Sequence, residues 1–481
     1  MSKNYIVGFP RIGEQRELKK ALEAYWSGKS SLDEVNAVAS ELKKRHWLYQ
    51  KDAGVDYISS NDFSFYDTML DTAVMLGAIP KRFRHLEGEE RYFAMARGSK
   101  NAVAMEMTKW FNTNYHYIVP ELSLEDEYAL NATKLINEYQ EAKELGIATK
   151  INLIGPITFL ALSKRSDQGN PLELLDKILP LYEALLARIA TLDESVTVQI
   201  DEPIFVKDNS DEVLDLIKPS YLRLASVSDS LKIVVMTYFE HASEAVQLLV
   251  DTPVWGIGLD FVHGLDNLAV LPFLKQSDKV LIAGVVDGRN IWKNDIDATL
   301  ELLNTIGESI PSERLITSTS CSLLHVPYSL KYEKKMEAEI KNWLSYAVEK
   351  LDELALISQL YFEGVESLNN AQLAAYKANQ QAVKERQNSS KIHNPKVAER
   401  LEKLEKFERD EAYETRIVKQ REKLNYPDLA TTTIGSFPQT AQVRQARRAF
   451  KQGDIEKEAY EEQMKAYIQE SVAFQEAIGL D

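Results

Sequence analysis

The sequence predicts an α/β protein whose first part is a (β/α)8 barrel, and three observations support this fold class. Short runs rich in valine and isoleucine, typical of buried parallel strands, recur through residues 1–330. Helical segments lie between many of them, and about eight such alternations favour a closed barrel over an open doubly wound sheet. No GxGxxG motif follows a predicted strand, so a dinucleotide-binding fold has no support.

Each element of the barrel is predicted from a local pattern. Helices are predicted where apolar residues recur at i, i+3 and i+7, as at Val35, Val38 and Leu42. Ser31 and Glu34 predict a capping box at the start of that helix. Strands are predicted at residues 5–9, 55–59, 150–154, 196–200, 233–238, 256–261, 280–286 and 314–318.

Composition and charge narrow the class of function. The 481 residues suggest two or three domains, and 44% apolar with 27% charged residues is a globular composition. A net charge of −16 disfavours nucleic acid and anionic membranes as partners. No apolar run approaches the roughly 20 residues of a membrane span, no secretory signal opens the chain, and the single Cys321 fits a reducing compartment. We therefore expect a cytoplasmic enzyme of small molecules.

The strand pattern stops near residue 330, and three domains are predicted. Residues 1–330 form the barrel, and residues 331–426 form a helical connector dense in lysine, arginine and glutamate. Pro427 should end a helix. Residues 427–481 are predicted to begin a second barrel, with a strand at 430–437.

An internal repeat supports the second barrel. The Phe-Pro pair at 9–10 recurs at 437–438, and the Gly-Val-Asp of 54–56 recurs as Gly-Leu-Asp at 479–481. The two copies align between these ends apart from a deletion of three residues. The second copy stops where its second strand should begin, so we expect that most of a duplicated barrel lies outside this sequence.

Arg16, Lys19 and Lys20 share one face of a predicted helix. Like charges at this spacing cost a few tenths of a kcal/mol per pair, and the protein is otherwise acidic. A polyanionic ligand would offset that cost, although the spacing alone favours a solvated helix face.

Residues 107–117 place Lys109 among aromatic and amide side chains. This composition is unlike a surface loop and suggests an anion clamp in which Trp110 or Tyr115 packs a ring. The alternative is a packed aromatic core with a lysine that extends to solvent.

Two acidic residues, Asp201 and Glu202, end a predicted barrel strand, where barrel enzymes keep catalytic groups. They support a rival reading, a glycosidase with paired carboxylates. Adjacent strand residues point to opposite faces, so only one of them should face the barrel mouth. A second carboxylate would have to come from another strand, and Asp260 and Asp287 are two candidates.

Cys321 and His325 are weak candidates for a metal or nucleophile site. Metal sites need three or four convergent ligands, and a buried cysteine more often packs as a small apolar group. No activating base can be placed beside this thiol from the sequence.

Four stretches together resemble the cobalamin-independent methionine synthase family. The resemblance covers essentially the whole chain, with the motifs in the family's order. The stretches are residues 8–13, residues 107–117 with 119–121, residues 199–203, and residues 432–438.

The resemblance implies two face-to-face barrels that transfer a methyl group from 5-methyltetrahydropteroyltriglutamate to homocysteine without cobalamin. It implies that residues 16–19 (Arg16, Glu17, Leu18 and Lys19) and Lys109 contact the glutamate tail of the folate. It also implies that Ile434, Gly435 and Ser436 hold homocysteine.

The resemblance further implies one zinc ion per full-length chain, held in the second barrel by His, two Cys and Glu. Val235, Thr237, Cys321 and Asp260 fall near the corresponding places of the first barrel, which therefore looks like a retired metal site. We expect neither metal ligands nor catalytic residues within this chain, and hence no activity from it alone. A non-catalytic scaffold that binds folate polyglutamate is the alternative, and a monomer is favoured.

Overall fold

The structure of the chain is a computed structural model that describes residues 3–481. It divides into two compact units, the first ending at Ile392 and the second running from His393 to Asp481. Within residues 3–481, every helix is either too short or too polar to span a bilayer.

The first unit is built on a closed barrel of eight parallel strands, as the sequence predicts. Neighbouring strands follow one another around the barrel in chain order, and a bridge between Tyr5 and Tyr57 joins the first strand to the second. The strands are β1 Asn4–Tyr5, β2 Ile58–Ser60, β3 Thr149–Ile154, β4 Val196–Asp201, β5 Leu231–Met236, β6 Gly256–Asp260, β7 Val280–Val286 and β8 Leu315–Thr319.

Helices surround the barrel and continue beyond its last strand. The α-helices of the first unit are Glu17–Trp26, Leu32–Asp52, Thr68–Met75, Gly88–Arg97, Thr133–Glu144, Pro156–Ala161, Leu175–Ile189, Asp211–Ala225, Ser243–Leu249, Leu271–Gln276, Ile296–Gly307, Ala338–Asn342, Ala347–Glu363 and Asn370–Asn388. Short 3-10 helices are Lys81–Phe83, Pro171–Leu174, Pro203–Val206, Leu265–Val270, Ser312–Arg314, Leu323–His325, Leu330–Tyr332 and Val365–Ser367.

Helix Leu32–Asp52 shows how local sequence sets an element. The Ser31 hydroxyl accepts a hydrogen bond from the Glu34 backbone N–H at 3.2 Å, and the Glu34 carboxylate accepts one from the Ser31 N–H at 2.7 Å. The predicted capping box is therefore present. Val35 and Leu42 are buried on the face that the periodicity predicts.

A long insertion separates β2 from β3. It contains an antiparallel hairpin in which Met107–Lys109 pairs with His116–Ile118. The Asp67 carboxylate anchors this hairpin, because it accepts hydrogen bonds from the Ile118 N–H at 3.0 Å and the Tyr115 hydroxyl at 2.8 Å. Another pairing joins Glu121–Leu122 to Lys164–Arg165.

The second unit is helical. Its helices are Pro395–Glu402, Tyr413–Leu424, Ala441–Gln452 and Lys457–Ala477. The rings of Phe450 and Tyr460 stack at 4.8 Å between centroids, and the Thr431 N–H donates to the Asp481 carboxylate at 2.9 Å.

The strand predicted at residues 430–437 is not formed. This stretch is irregular, and a strand needs a neighbouring strand to satisfy its backbone groups, which residues 393–481 do not supply. The predicted domain boundaries at 330 and 426 stay predictions.

Candidate functional site

A cavity of about 720 Å3 lies at the carboxyl ends of the strands, here called the barrel mouth, where it is lined from β1 to β5 and from β8. Enzymes built on this fold keep their sites at this end. Its walls combine aromatic, amide and acidic side chains from strands that are far apart in sequence. They include Phe9, Asn61, Asp62, Phe63, Trp110, Tyr115, Asn152, Asp201, Tyr238 and His325.

Two carboxylates line this mouth cavity at the ends of β2 and β4. Asp201 accepts hydrogen bonds from the Gln199 amide at 2.7 Å and the Tyr238 hydroxyl at 3.3 Å, and burial raises the pKa of Asp201 to about 7. Asp62 accepts one from the Phe9 N–H at 2.8 Å, and burial raises its pKa to about 6. Burial opposes the charged form of both groups.

Lys150 is buried inside the barrel on strand β3. Its ammonium group donates to Ser59 Oγ at 2.9 Å, Asn152 Oδ1 at 2.5 Å and Gln199 Oε1 at 2.8 Å. Burial lowers the pKa of Lys150 to about 7, and the charges of Asp62 and Asp201 oppose that shift. Three neutral oxygens thus occupy the three donors of this ammonium.

Glu202 points away from the mouth, as expected for the neighbour of Asp201 on a strand. Its carboxylate accepts hydrogen bonds from the backbone N–H groups of Ile157 at 3.2 Å and Thr158 at 2.7 Å, and from the Tyr221 hydroxyl at 2.8 Å. Glu202 therefore caps the amino terminus of helix Pro156–Ala161, a structural role.

Asp260 and Asp287, the candidate partners of Asp201 in a glycosidase, bind other groups outside the mouth cavity. Asp260 accepts hydrogen bonds from the N–H groups of Val262 and His263, both at 2.8 Å. Asp287 lies 3.2 Å from the His263 ring nitrogen. Neither lines the mouth cavity, so the glycosidase reading loses both predicted partners for Asp201.

The basic cluster lies at the start of helix Glu17–Trp26. Arg16 precedes the helix with a left-handed φ of 60°, and it is exposed together with Lys19 and Lys20. Lys19 lies 3.7 Å from Glu23. Glu17, by contrast, is held by Arg45 at 2.7 Å.

Leu18 and Lys109, which are also predicted to bind the folate tail, differ in their exposure to solvent. The Leu18 side chain is buried in the core, so it fixes the turn rather than contacting a ligand. Lys109 is exposed at the end of a hairpin strand, across from His116. Neither the basic cluster nor Lys109 lines the mouth cavity.

A smaller pocket of about 350 Å3 lies at the turn of the same hairpin. Arg289 lines it, donates to the Asn112 carbonyl at 3.2 Å and sits over the Phe239 ring at 4.9 Å. Sequence reasoning missed Arg289, because nothing near it in the chain marks its approach to a hairpin 177 residues away.

The triplet predicted to hold homocysteine belongs to the second unit. Ile434, Gly435 and Ser436 lie in an irregular, exposed segment. An alanine Cβ at Gly435 would meet nothing within 4 Å. Their binding role stays a prediction.

The residues described here do not fit a zinc ion. Within residues 3–481, no group of three His, Cys, Asp or Glu side chains is placed to hold a metal. Cys321 is fully buried, and burial raises the pKa of its thiol. The Thr237 hydroxyl donates to the Gly258 carbonyl at 3.1 Å. We therefore derive no step through zinc from these residues.

Two family models match the chain. Residues 3–311 match the model described as the N-terminal domain of the cobalamin-independent synthase. Residues 429–481 match the model described as its catalytic domain.

Curated relatives are similar along almost the whole chain. The 5-methyltetrahydropteroyltriglutamate–homocysteine methyltransferase of Desulforamulus reducens is 56% identical over 480 residues, which are 99% of this chain and 62% of that protein. The enzyme of the same name from Mesorhizobium japonicum is 41% identical, over 99% of this chain and 64% of its own. The chain thus spans less than two thirds of these relatives.

A solved structure shares the fold. It is a B12-independent methionine synthase from Shewanella sp. W3-18-1 in complex with selenomethionine, with a TM-score of 0.51 and 14% identity. The similarity covers 71% of this chain and 92% of that one. At this identity the likeness shows the fold alone.

Proposed function

Because the chain belongs to the cobalamin-independent methionine synthase family, we propose that it takes part in methyl transfer from 5-methyltetrahydropteroyltriglutamate to homocysteine. The product would be methionine. The names of the curated relatives, which match 99% of the chain, support this reaction. We place the protein in the cytoplasm and expect small molecules as its binding partners.

The observation on which the proposal rests most is the exposed cationic turn at Arg16, Lys19 and Lys20. It stands out in a chain whose net charge is −16. Each extra glutamate of a folate tail adds a carboxylate, and guanidinium or ammonium groups form strong charge-assisted hydrogen bonds with carboxylates. The amino terminus of helix Glu17–Trp26 adds a favourable dipole for anions.

The cations of this turn are available to a ligand. No ion pair involves Arg16 or Lys20 among the described residues 3–481, and the exposed contact of Lys19 with Glu23 contributes little. Lys109 is also exposed and has no ion-pair partner in that part of the chain. We assign Arg16, Lys19 and Lys109 to direct contact with tail carboxylates, whereas Glu17 and Leu18 keep the turn in place.

The chemical step itself needs groups that residues 3–481 do not bring together. Activation of homocysteine as a zinc thiolate is the chemistry that the family resemblance implies, and zinc keeps bound thiols deprotonated. We therefore propose zinc, and no cobalamin, as the cofactor of the full-length enzyme. Ile434, Gly435 and Ser436 would hold the amino-acid end of homocysteine. A scaffold that binds folate polyglutamate without catalysis is the competing function for this chain by itself.

Binding of folates with different tails tests the tail assignment. We expect 5-methyltetrahydropteroyltriglutamate to bind more tightly than the monoglutamate. The variants Arg16→Gln, Lys19→Gln and Lys109→Gln should each raise the dissociation constant of the triglutamate about ten-fold, equivalent to roughly 1.4 kcal/mol. Calorimetric titration of both folates at two salt concentrations makes the measurement, because tail binding should weaken with added salt.

The matched control is Lys275→Gln, which removes another exposed positive charge, near the amino ends of the strands. It should leave both affinities unchanged. Equal losses for the monoglutamate and triglutamate folates would contradict the tail assignment. Methionine formation by the 481-residue chain, assayed with added zinc, would contradict its predicted inactivity.

A further inference from the structure

The proposed reaction assigns no residue to the mouth cavity. None of the residues assigned to the folate tail or to homocysteine lines it, and it lies wholly within the first unit. We propose that this cavity is a second ligand site, which binds an organic cation made of a primary ammonium group on an apolar body.

Unpaired negative charge determines the sign of the ligand. Asp62 and Asp201 have no ion pair within 4.0 Å among residues 3–481, and their hydrogen bonds come from neutral donors only. Lys150 lies in the barrel beside them, but its three donors are directed at Ser59, Asn152 and Gln199. One buried cation, Lys150, thus lies beside two carboxylates. An ammonium ligand would supply the second positive charge.

Two lysines of the lining are bound to three of its other carboxylates, and Glu89 and Arg91 complete its charged side chains. Lys43 lies 2.5 Å from Glu141. Lys134 lies 3.3 Å from Asp71 and 3.5 Å from Glu138. These pairs form the wall next to Asp62, so the wall adds little net charge and leaves Asp62 and Asp201 as the attracting groups.

Aromatic rings supply the apolar half of the site. Phe63, Trp110, Tyr115 and Tyr238 line the cavity, and ring faces attract cations while they pack hydrocarbon. His325 is also in the lining, and its pKa is lowered to about 4, mainly by burial and also by Arg289. The imidazole is therefore neutral near pH 7 and does not repel a cation. A volume of about 720 Å3 is within the usual range of small-molecule sites.

The same contacts select an amine over an amino acid. A zwitterion would need a free cation for its carboxylate, and both lysines of the lining are already bound to acidic side chains. Arg91 belongs to the lining and donates to the Leu86 carbonyl. Arg91 lies within helix Gly88–Arg97 and not at the end of a barrel strand, where Asp62 and Asp201 are found.

Calorimetric titration of the 481-residue chain with 2-phenylethylamine tests the proposal. The neutral isostere 2-phenylethanol and the zwitterion L-phenylalanine are the comparison ligands. We expect the amine to bind at least about ten-fold more tightly than either, since loss of a charge-assisted contact costs about that factor. We also expect binding to strengthen between pH 5.5 and pH 8, as Asp62 and Asp201 release their protons.

Several groups face these carboxylates and belong in that pH profile. Lys150, Tyr238 and Glu202 act on Asp201. Glu138 and Lys150 act on Asp62. Because the net effect of burial is to raise both pKa values, amine binding should release protons, which titrations in buffers of different ionisation enthalpy detect.

Asp201→Asn and Asp62→Asn should each weaken amine binding at least about ten-fold at pH 8. The matched control is Asp251→Asn, an equal change in charge at an exposed residue in the loop before β6, at the amino ends of the strands. It should bind as wild type does. Circular dichroism shows whether each variant is folded. If one site variant does not fold, the other still tests the proposal.

Three outcomes would overturn the proposal. They are equal affinities for the amine and the alcohol, tighter binding of L-phenylalanine than of the amine, and unchanged amine affinity in both site variants. The folate experiment remains separate, because Asp201→Asn should leave binding of the triglutamate folate unchanged. Failure of either proposal is therefore distinguishable from failure of the other.

Discussion

At the residue scale, Asp201 places a carboxyl group where burial opposes its ionisation. Its pKa is raised to about 7 in the folded chain, mainly by burial, against about 4 for an unfolded aspartate. The protonated Asp201 carboxyl contributes its full share to the free energy of unfolding below about pH 4. This contribution is lost as the pH rises through about 7. Asp201 should therefore reduce stability at the pH where an ammonium ligand needs its charge.

We predict that Asp201→Asn is more stable than wild type by about 1 to 2 kcal/mol at pH 8. The amide keeps the shape and the hydrogen bond from Gln199, but it does not titrate. Lys150 faces the same carboxylate and loses its charge partner, which limits the gain. Urea denaturation at pH 4.5 and pH 8 makes the measurement, and the advantage of the variant should shrink at the lower pH. A variant less stable than wild type at pH 8 would mean that Asp201 is a structural residue.

Sequence reasoning singled out Asp201, Trp110, Tyr115 and His325 of the cavity lining, but it did not find Asp62 or Asn152. Strand alternation separated it from Glu202, because that rule needs only local geometry. Asp62 follows β2 and Asn152 lies on β3. Both converge with Asp201 only when the barrel closes. Convergence of this kind depends on the register between distant strands, which a single sequence does not encode locally.

At the element scale, helix Pro156–Ala161 depends on a side chain from the next strand. Glu202 accepts hydrogen bonds from two N–H groups of its first turn, and a Cβ at Gly155 would collide with the Glu202 carboxylate. We predict that Gly155→Ala destabilises the first unit by about 2 kcal/mol or more, although the φ of −70° at Gly155 suits alanine. Thermal and urea unfolding give the change in stability.

A double-mutant cycle isolates this contact. Glu202→Ala alone should cost about 2 to 4 kcal/mol, because it leaves buried N–H groups and the Tyr221 hydroxyl without an acceptor. In the Glu202→Ala background, however, the cost of Gly155→Ala should fall to near zero. Additive effects of the two substitutions would show that the alanine clashes with another group.

The elements differ in how far the sequence predicts them. All eight predicted barrel strands are present, although β1 is only Asn4–Tyr5 instead of 5–9 and β2 is Ile58–Ser60 instead of 55–59. The hairpin of Met107–Lys109 and His116–Ile118 was missed, since three-residue strands show no usable periodicity. The strand predicted at 430–437 was wrong, because a strand does not form without a neighbouring strand to pair with.

At the scale of the whole molecule, buried apolar surface is concentrated in the first unit. All four apolar clusters consist of residues between Tyr5 and Leu360. Among residues 393–481, Ala446 is the only buried apolar residue. The second unit instead exposes large side chains, including Phe407, Leu429 and Ile434. Its helices thus have few tertiary contacts to stabilise them within their own unit.

Hydrogen exchange should therefore separate the two units within one intact chain. Isolated helices are marginally stable in water, so we predict that amides of Lys457–Ala477 exchange no more than about a hundred-fold slower than an unstructured peptide. Amides of β5, β6 and β7, which lie in the barrel core, should be protected by at least about ten-thousand-fold, because they open only with global unfolding. Mass spectrometry of peptides from both units in the same sample supplies an internal control. Protection of 457–477 equal to that of the strands would show that these helices bury apolar surface against a partner. Substitution of the exposed Ile434 or Phe474 by serine should then speed exchange.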